Sequence, residues 1–375
     1  MSTTYYIIPK YASGAVAQWI VSDYSSLTYS SEVNNVGLGS ITLRDTHPAC
    51  SVFYSDKSQI EVWRQNAQYG MLATKVWSGF ARSDVTQFDR SGHATFYFED
   101  FNSLLRRALV AYYAGVDNRS EFTSLPAETI MKTLVNYNIG PAALAANGRF
   151  ISNVIPQVSI NTDLGRGATK SWSTEPSENL LEVLQKLVAA GAGGDFLVQD
   201  FNASSWRFEF YPGQLGTNRT SSVVFALGRG NMDKPRRQSN RSAEKTVAIV
   251  GGEGKGLDLV FVTRTGANYS LPVNNPPNHQ EMWVSGGGYK SIAALQAIGD
   301  RALDESRARR KFSFQPMQTL GSFWGVHYFL GDLVTADIFG TSTTHKINKV
   351  SVSHVGSESA EGGGDEKVTV ECVEV

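Results

Sequence analysis

Apolar and polar positions follow two different periods along this chain, and each change of period marks a change of element. Over the first hundred residues the period is two. Ile60 and Val62 share one face of Ile60–Arg64, while Val76, Ser78 and Phe80 lie opposite Lys75 and Trp77. Ala94–Phe98 is a short aromatic run that ends at Glu99-Asp100. Such alternation is that of half-buried strands, whose successive side chains point to opposite faces. Turn-rich stretches, Asn34-Asn35 and Arg90–Gly92, separate the runs.

At Phe101 the period lengthens. Phe101, Leu104, Leu105, Ala108, Leu109 and Tyr112 fall at helical spacing, with Asp100 as N-cap and Gly115 as stop. A second helix is predicted from Pro126 to about Asn138, with Ile130, Met131, Leu134 and Val135 inward and Gly140 after it. A third is predicted over about Glu178–Ala190, with Leu180, Leu181, Leu184, Leu187 and Val188 on one side and Gly191 closing it. Period two then returns. Phe196–Val198 and Trp206–Phe210 flank the polar loop Asp200–Ser205, and Trp206, Phe208 and Phe210 point one way. Lys234–Arg241 carries one proline and four basic residues and reads as an exposed connector.

The last region opens on Thr246–Gly256, TVAIVGGEGKG, a β-branched run that breaks into glycines and one lysine. Two phosphate-binding motifs come close and fail. A P-loop needs Ser or Thr after Gly-Lys to hold Mg²⁺, and here Gly256 follows Lys255. The dinucleotide pattern needs a third glycine where Leu257 stands. Both need a helix next, with its N–H groups aimed at the anion. Leu257–Arg264 is instead another β-prone run, so the stretch reads as a hairpin with glycines supplying positive φ. A loop at Asn274–Asn278, a strand at Glu281–Val284, the triplet Gly286–Gly288 and a helix over about Lys290–Arg310 follow. Strands are predicted at Phe312–Phe314, Leu333–Ile338, His345–Val355 and Lys367–Val373. Gly356–Glu366 is Gly, Ser and acid rich, and is expected to be a mobile tip.

Three domains follow from these shifts: a β-barrel-like domain at 1–99, a helical α+β domain at 100–235, and a second β-barrel-like domain with one long helix at 236–375. The fold class is a β-rich α+β. A length of 375 residues and 41% hydrophobic content support such cores. The net charge of −1 gives no global attraction to nucleic acid or anionic lipid. The N-terminus has no basic and apolar leader, and no stretch nears the roughly 18 apolar residues of a membrane span. A soluble protein made in a cytoplasm is expected, with the Asn-x-Ser/Thr sites at Asn118 and Asn268 left bare.

Catalytic spacing is missing. The six histidines (47, 93, 279, 327, 345 and 354) make no His-x-x-x-His pair. Cys50 and Cys372 make no metal or redox spacing and read as small apolar residues. Ser242 and Lys245 fit Ser-x-x-Lys, but Lys245 opens a strand-like run and no Lys-Thr-Gly is present. Asp84 and Asp89 are a carboxylate pair only in the sense that any two loop acids are. No catalytic, cofactor-binding or metal-binding residue is assigned, no cofactor is expected, and the protein reads as a non-enzyme. Trp63, Trp77, Trp283 and Trp324 could serve protein interfaces or the core.

The order of motifs in the final region resembles the tail hub proteins of long-tailed bacteriophages, relatives of the contractile-phage baseplate hub. The carriers are Ala248–Gly256, a hairpin, Gln280–Val284, a helix ending in Ala302–Phe312, Gln315-Pro316 and Tyr328–Val334 (YFLGDLV). One departure is Leu257-Asp258, where relatives often have an arginine. The resemblance implies two tube-like β-barrel domains per chain and a homotrimer that presents six barrels around a channel. It implies a virion protein that joins a sixfold tail tube or distal tail protein ring to a threefold tip fibre or spike. It further implies contact with the tape-measure protein, transient passage of DNA and no stable membrane insertion. A receptor- or carbohydrate-binding tail protein is the first alternative, and a cell-wall hydrolase the second.

Overall fold

The computed structural model describes residues 3–87, 92–111, 120–149, 155, 157–174, 177–202, 204–270, 278–287, 289–338, 340–356, 364 and 366–375. The alternating runs of the first hundred residues become β1 (Thr4–Lys10), β2 (Ser26–Glu32), β3 (Leu38–Arg44), β4 (Gln59–Asn66), β5 (Met71–Gln87) and β6 (His93–Glu99), with one short helix, α1 (Ala49–Phe53). The middle holds α2 (Ser103–Arg106), β7 (Ser120–Pro126), α3 (Ala127–Asn138), β8 (Val158–Ile160), β9 (Thr169–Thr174), α4 (Leu180–Ala189), β10 (Gly194–Asn202), β11 (Ser205–Pro212) and β12 (Val224–Ala226). The remainder is β13 (Met232–Asn240), β14 (Val247–Gly251), β15 (Phe261–Thr265), β16 (Glu281–Ser285), α5 (Ile292–Glu305), β17 (Arg309–Pro316), β18 (Leu333–Ile338), β19 (Thr341–Val355) and β20 (Glu366–Glu374). The fold is a β-rich α+β, as the periods predict.

Two compact units form. The larger gathers Met1–Val188, Ala192–Arg236 and Phe312–Val375; the smaller gathers Ala189–Gly191 and Arg237–Lys311. A twelve-stranded sheet in the order β1-β4-β5-β6-β3-β2-β19-β20-β17-β13, with β18 on β19 and β12 on β18, dominates the larger unit. Strands from the 1–99 and 312–375 segments thus share one sheet. The joint is the fifteen-residue β19: Thr341–Lys346 pairs with β18, and Lys349–Val355 pairs with β2.

Four middle elements sit where the periods place them. α3 starts directly after Pro126, whose missing N–H costs nothing at a helix start, and it buries Ile130, Met131, Leu134 and Val135. α4 buries Leu180, Leu181, Val183, Leu184 and Leu187 and ends before Gly191, which has φ +76°. β10 and β11 pair antiparallel and bury Phe196, Val198, Trp206, Phe208 and Phe210.

Two expectations fail. The helix predicted from Phe101 survives only as α2, a single turn. Beyond it Ala108 and Val110 are buried and Leu109 is exposed, which is strand alternation. The backbone there is taken by a competing partner: Leu180 N–H donates to Ala108 C=O at 3.0 Å, and Val110 N–H donates to Glu178 C=O at 2.7 Å. Lys234–Arg241 is no loose connector, because β13 runs through it as a strand beside β17. Tyr112, Gly115, Asn118, Asp89, Asn274–Pro277, Gly288 and most of Gly356–Glu366 lie outside the described residues.

Candidate functional site

The glycine loop is a turn between strands. β14 and β15 pair antiparallel from Val247↔Thr265 to Gly251↔Phe261, and β16 joins β14 in parallel. Gly254 has φ +106° and Gly256 φ +60°, where a side chain would be strained. Gly251 and Gly252 are small for a steric reason instead. A Cβ on Gly251 would lie 2.3 Å from the Trp283 ring, and one on Gly252 would lie 2.3 Å from the Tyr289 carbonyl. A three-residue 3₁₀ turn, Gly256–Asp258, follows where a phosphate site needs a long helix. Lys255 is exposed.

The second landmark, Tyr328–Val334, is also a backbone device. Gly331 has φ +82°, and Asp332 folds back beneath the turn. Its buried carboxylate accepts from Phe329 N–H at 2.8 Å, Thr217 N–H at 2.6 Å and Arg219 Nε at 2.7 Å. A Cβ on Gly216 would lie 2.3 Å from the Asp332 nitrogen, so Gly216 admits the close approach of the two segments. The Leu-Gly-Asp order is thereby explained as a pin that fixes the entry to β18.

Buried ionic groups tie distant strands together. Arg64 on β4 is fully buried; its Nε and Nη2 each donate to Glu366 on β20 at 2.7 Å. Its Nη1 also donates to the Trp324 carbonyl, and the Tyr5 hydroxyl donates to Glu366. The guanidinium lies 4.4 Å from the Phe323 ring centre. Burial pulls the Arg64 pKa down, but the Glu366 hydrogen bonds outweigh it and the net shift is upward. Burial, the neighbouring phenol Tyr29 and Glu366 together raise the Tyr5 hydroxyl well above its usual value. Asp195 on β10 accepts from Lys346 on β19 at 2.6 Å and from Asn34 at 2.8 Å. Glu128 on α3 accepts from Lys132 at 2.6 Å and twice from the Arg166 side chain, at 2.8 Å each. These are bidentate or multiply bonded contacts.

The residues weighed above for chemistry are dispersed. Ser242 Oγ donates to Asn240 in an exposed turn, while the Lys245 N–H donates to Ser306 C=O. Asp84 is exposed on β5. His354 contacts the Tyr24 hydroxyl at 2.8 Å, His345 contacts Thr343, and His327 Nδ1 accepts from Phe323 N–H. Cys50 and Cys372 are buried and free, and burial pushes the Cys50 thiol up to about 11. Among the described residues, no group of three or more His, Cys, Asp or Glu could hold a metal ion. Trp77 and Trp324 belong to the core. Trp63 is half-buried, its indole N–H on Glu61, whereas Trp283 is 62% exposed.

Two surfaces stand out once chemistry is set aside. On the open face of β2, β3, β19 and β20 a groove of about 550 Å³ is lined by hydroxyls, among them Thr28, Ser40, Ser351, Ser353 and Thr369. On the small unit, Trp283 and Phe261 (61% exposed) flank Gly251 on the sheet face away from the buried Leu295 of α5. Sequence reasoning missed the Arg64–Glu366 tie. The strand phase held a clue, because Arg64 follows Ile60 and Val62 on the inward face.

A profile of the family described as Siphovirus ReqiPepy6 Gp37-like protein matches residues 15–370. No curated protein matches. Several solved structures share the fold. The tail protein from Neisseria meningitidis MC58 is 11% identical, with 99% of this chain and 97% of that one covered at a TM-score of 0.58. The 43 kDa tail protein of prophage MuSo2 from Shewanella oneidensis is 12% identical, with 98% and 97% covered at 0.57. Prophage tail protein gp18 from Listeria monocytogenes EGD-e is 12% identical, with 98% and 94% covered at 0.53. At these identities the likeness is one of fold.

Proposed function

Because this chain belongs to the siphovirus ReqiPepy6 Gp37-like protein family, we propose that it is a structural virion protein, the hub at the distal end of a phage tail. The observation that carries this reading is the near-complete overlap, in both directions, with the folds of phage tail proteins. The internal architecture supports it. The glycine loop is a turn, Asp332 a pin and Arg64–Glu366 a buried tie, which suits a scaffold. In this reading two tube-like halves meet along β19, and three chains close around one channel through heterologous contacts. The ring docks beneath the sixfold tube or distal tail ring, meets the tape-measure protein in its lumen, and holds a threefold fibre or spike below. DNA passes through after adsorption. The protein is made in the host cytoplasm, acts in the virion, and has no enzymatic role.

Native mass spectrometry of the purified chain, alone and with its distal-tail partner, tests the proposal. A trimer or a closed ring is expected. A monomer that never closes, even with that partner, overturns it.

One observation favours a second reading, receptor or carbohydrate binding. Trp283 and Phe261 present two exposed aromatic rings on one sheet face. Binding of host cell-wall polysaccharide to the intact chain, lost on Trp283→Ala, would select it.

A further inference from the structure

We propose that a cleft in the large unit binds a carboxylate carried on a small aromatic or branched apolar body. The site requires neither the ring nor the channel proposed above. The cleft has a volume of about 700 Å³, within the range of small-molecule sites. Its floor is apolar, made by the buried side chains of Phe53, Phe80, Leu104 and Trp206. Three elements each bring one polar group to the Phe80 ring. The guanidinium of Arg107, directly after α2, lies 4.9 Å from the ring centre. Gln59 on β4 is the cross-strand neighbour of Phe80. Trp206 on β11 packs edge-on against Phe80, with ring centres 4.9 Å apart. Among the described residues, the Arg107 guanidinium, the Gln59 amide and the Trp206 indole N–H make no hydrogen bond or ion pair. Gln59 is only 2% exposed and Trp206 8%. A buried polar group without a partner is costly, so three of them around one ring call for a ligand.

The neighbouring carboxylates leave this demand open. Both oxygens of Glu99 are engaged, Oε1 by Arg106 at 2.5 Å and Oε2 by Arg82 at 3.4 Å. Asp56 and Asp84 stand exposed at the rim with Lys57, and neither pairs with Arg107. Partial burial, and then the positive charge of Arg82, hold the Arg107 pKa below its ordinary value, as a site short of negative charge requires. The open groups are mainly donors: a guanidinium fork, an amide NH₂ and an indole N–H. A carboxylate accepts the fork through two oxygens and keeps lone pairs for the other donors. The apolar floor selects the rest of the ligand, because a hydrocarbon body covers Phe53 and Leu104. Inorganic phosphate has no such body and is the weaker match. A free organic acid and an acidic-aromatic step in a partner protein both carry the required chemistry.

The test titrates the full chain with 3-phenylpropionate, its neutral counterpart 3-phenylpropanol, inorganic phosphate and the capped peptide acetyl-Phe-Asp-amide. Binding is read by fluorescence, assigned to Trp206 by comparison with Trp206→Phe. The acid is expected to bind about tenfold or more tightly than the alcohol, and Arg107→Gln to remove that advantage. Gln59→Leu should weaken binding of the acid by about fivefold. Lys255→Gln, an equal loss of charge outside the cleft, should leave it unchanged. An unaltered unfolding transition in Arg107→Gln shows that its fold is intact. Equal affinity for acid and alcohol overturns the site, as does an Arg107→Gln chain that binds the acid like the wild type. A wild type that binds neither carboxylate probe, or binds phosphate as tightly as the acid, overturns it too. A loss shared by Lys255→Gln is a net-charge effect and also overturns it. With the site supported, a peptide that binds about tenfold or more tightly than the free acid assigns the source to a partner protein. Equal or weaker binding of the peptide assigns it to a free acid.

Discussion

The large sheet and the small three-stranded sheet solve the same problem at very different depth. Among the described residues, the first encloses one cluster of thirty-two buried apolar residues drawn from both ends of the chain. The second encloses four: Ala248, Val250, Leu295 and Leu303, with α5 covering one face. Its other face carries exposed Trp283 and Phe261. A small core offsets little of the entropy of ordering, so the small unit should be the first part to open.

Removing a partner from the deepest tie should have the largest effect. Arg64→Ala leaves Glu366 buried beside Tyr5 without its guanidinium. A loss of about 3–5 kcal/mol is expected in denaturant unfolding of the large unit, with the small unit's transition unmoved. Joint replacement, Arg64→Met with Glu366→Leu, should recover much of it. A Leu295→Ala change removes the centre of the four-residue core and should cost about 2–5 kcal/mol. Hydrogen exchange should then rise across 237–311 and nowhere else. If exchange rises equally in β19, the two units do not open independently.

A Gly251→Ala change should do less, about 1–3 kcal/mol, by lifting the Trp283 ring off the strand. Trp283 fluorescence, isolated by comparison with Trp283→Phe, should report the displacement. The last effect belongs to pH. Burial raises the Glu128 carboxyl, but hydrogen bonds from Arg166 and Lys132 outweigh it and hold it at about 2. A carboxyl depressed in the folded state contributes stability above its ordinary value of 4.5, and that contribution is lost as pH falls toward 2. Unfolding of Glu128→Gln should lack this acid-side loss. An unchanged pH profile would place the acid sensitivity elsewhere.

Local elements were legible because their causes are local. α3, α4, the β10–β11 hairpin and the β14–β15 turn each follow from a period plus Pro126, Gly191 or Gly254. The failures share one cause. The stripe from Phe101 to Tyr112 is helical by spacing, yet Ala108 and Val110 exchange backbone bonds with Leu180 and Glu178, far along the chain. Arg236–Asn240 shows no alternation, so periodicity could not mark it as a strand; pairing with β17 makes it one. The tie between Arg64 and Glu366 spans 302 positions, and only the inward phase of β4 hinted at it. The glycine loop and the Leu-Gly-Asp turn were legible as order, and their physical roles only as geometry: Asp332 gives no sign in sequence that it pins Thr217 and Arg219.

The pairing of β2 with the far half of β19 also sets a timetable. β2 ends at Glu32, and its neighbour begins only at Lys349, more than 300 residues later in the chain. At roughly 5–20 residues per second, that gap lasts on the order of half a minute. Throughout it, one side of β2 is an open edge in a crowded cell. The nascent chain therefore cannot finish its largest sheet until β19 has been made, and a partner that needs that sheet cannot engage a copy that lacks it.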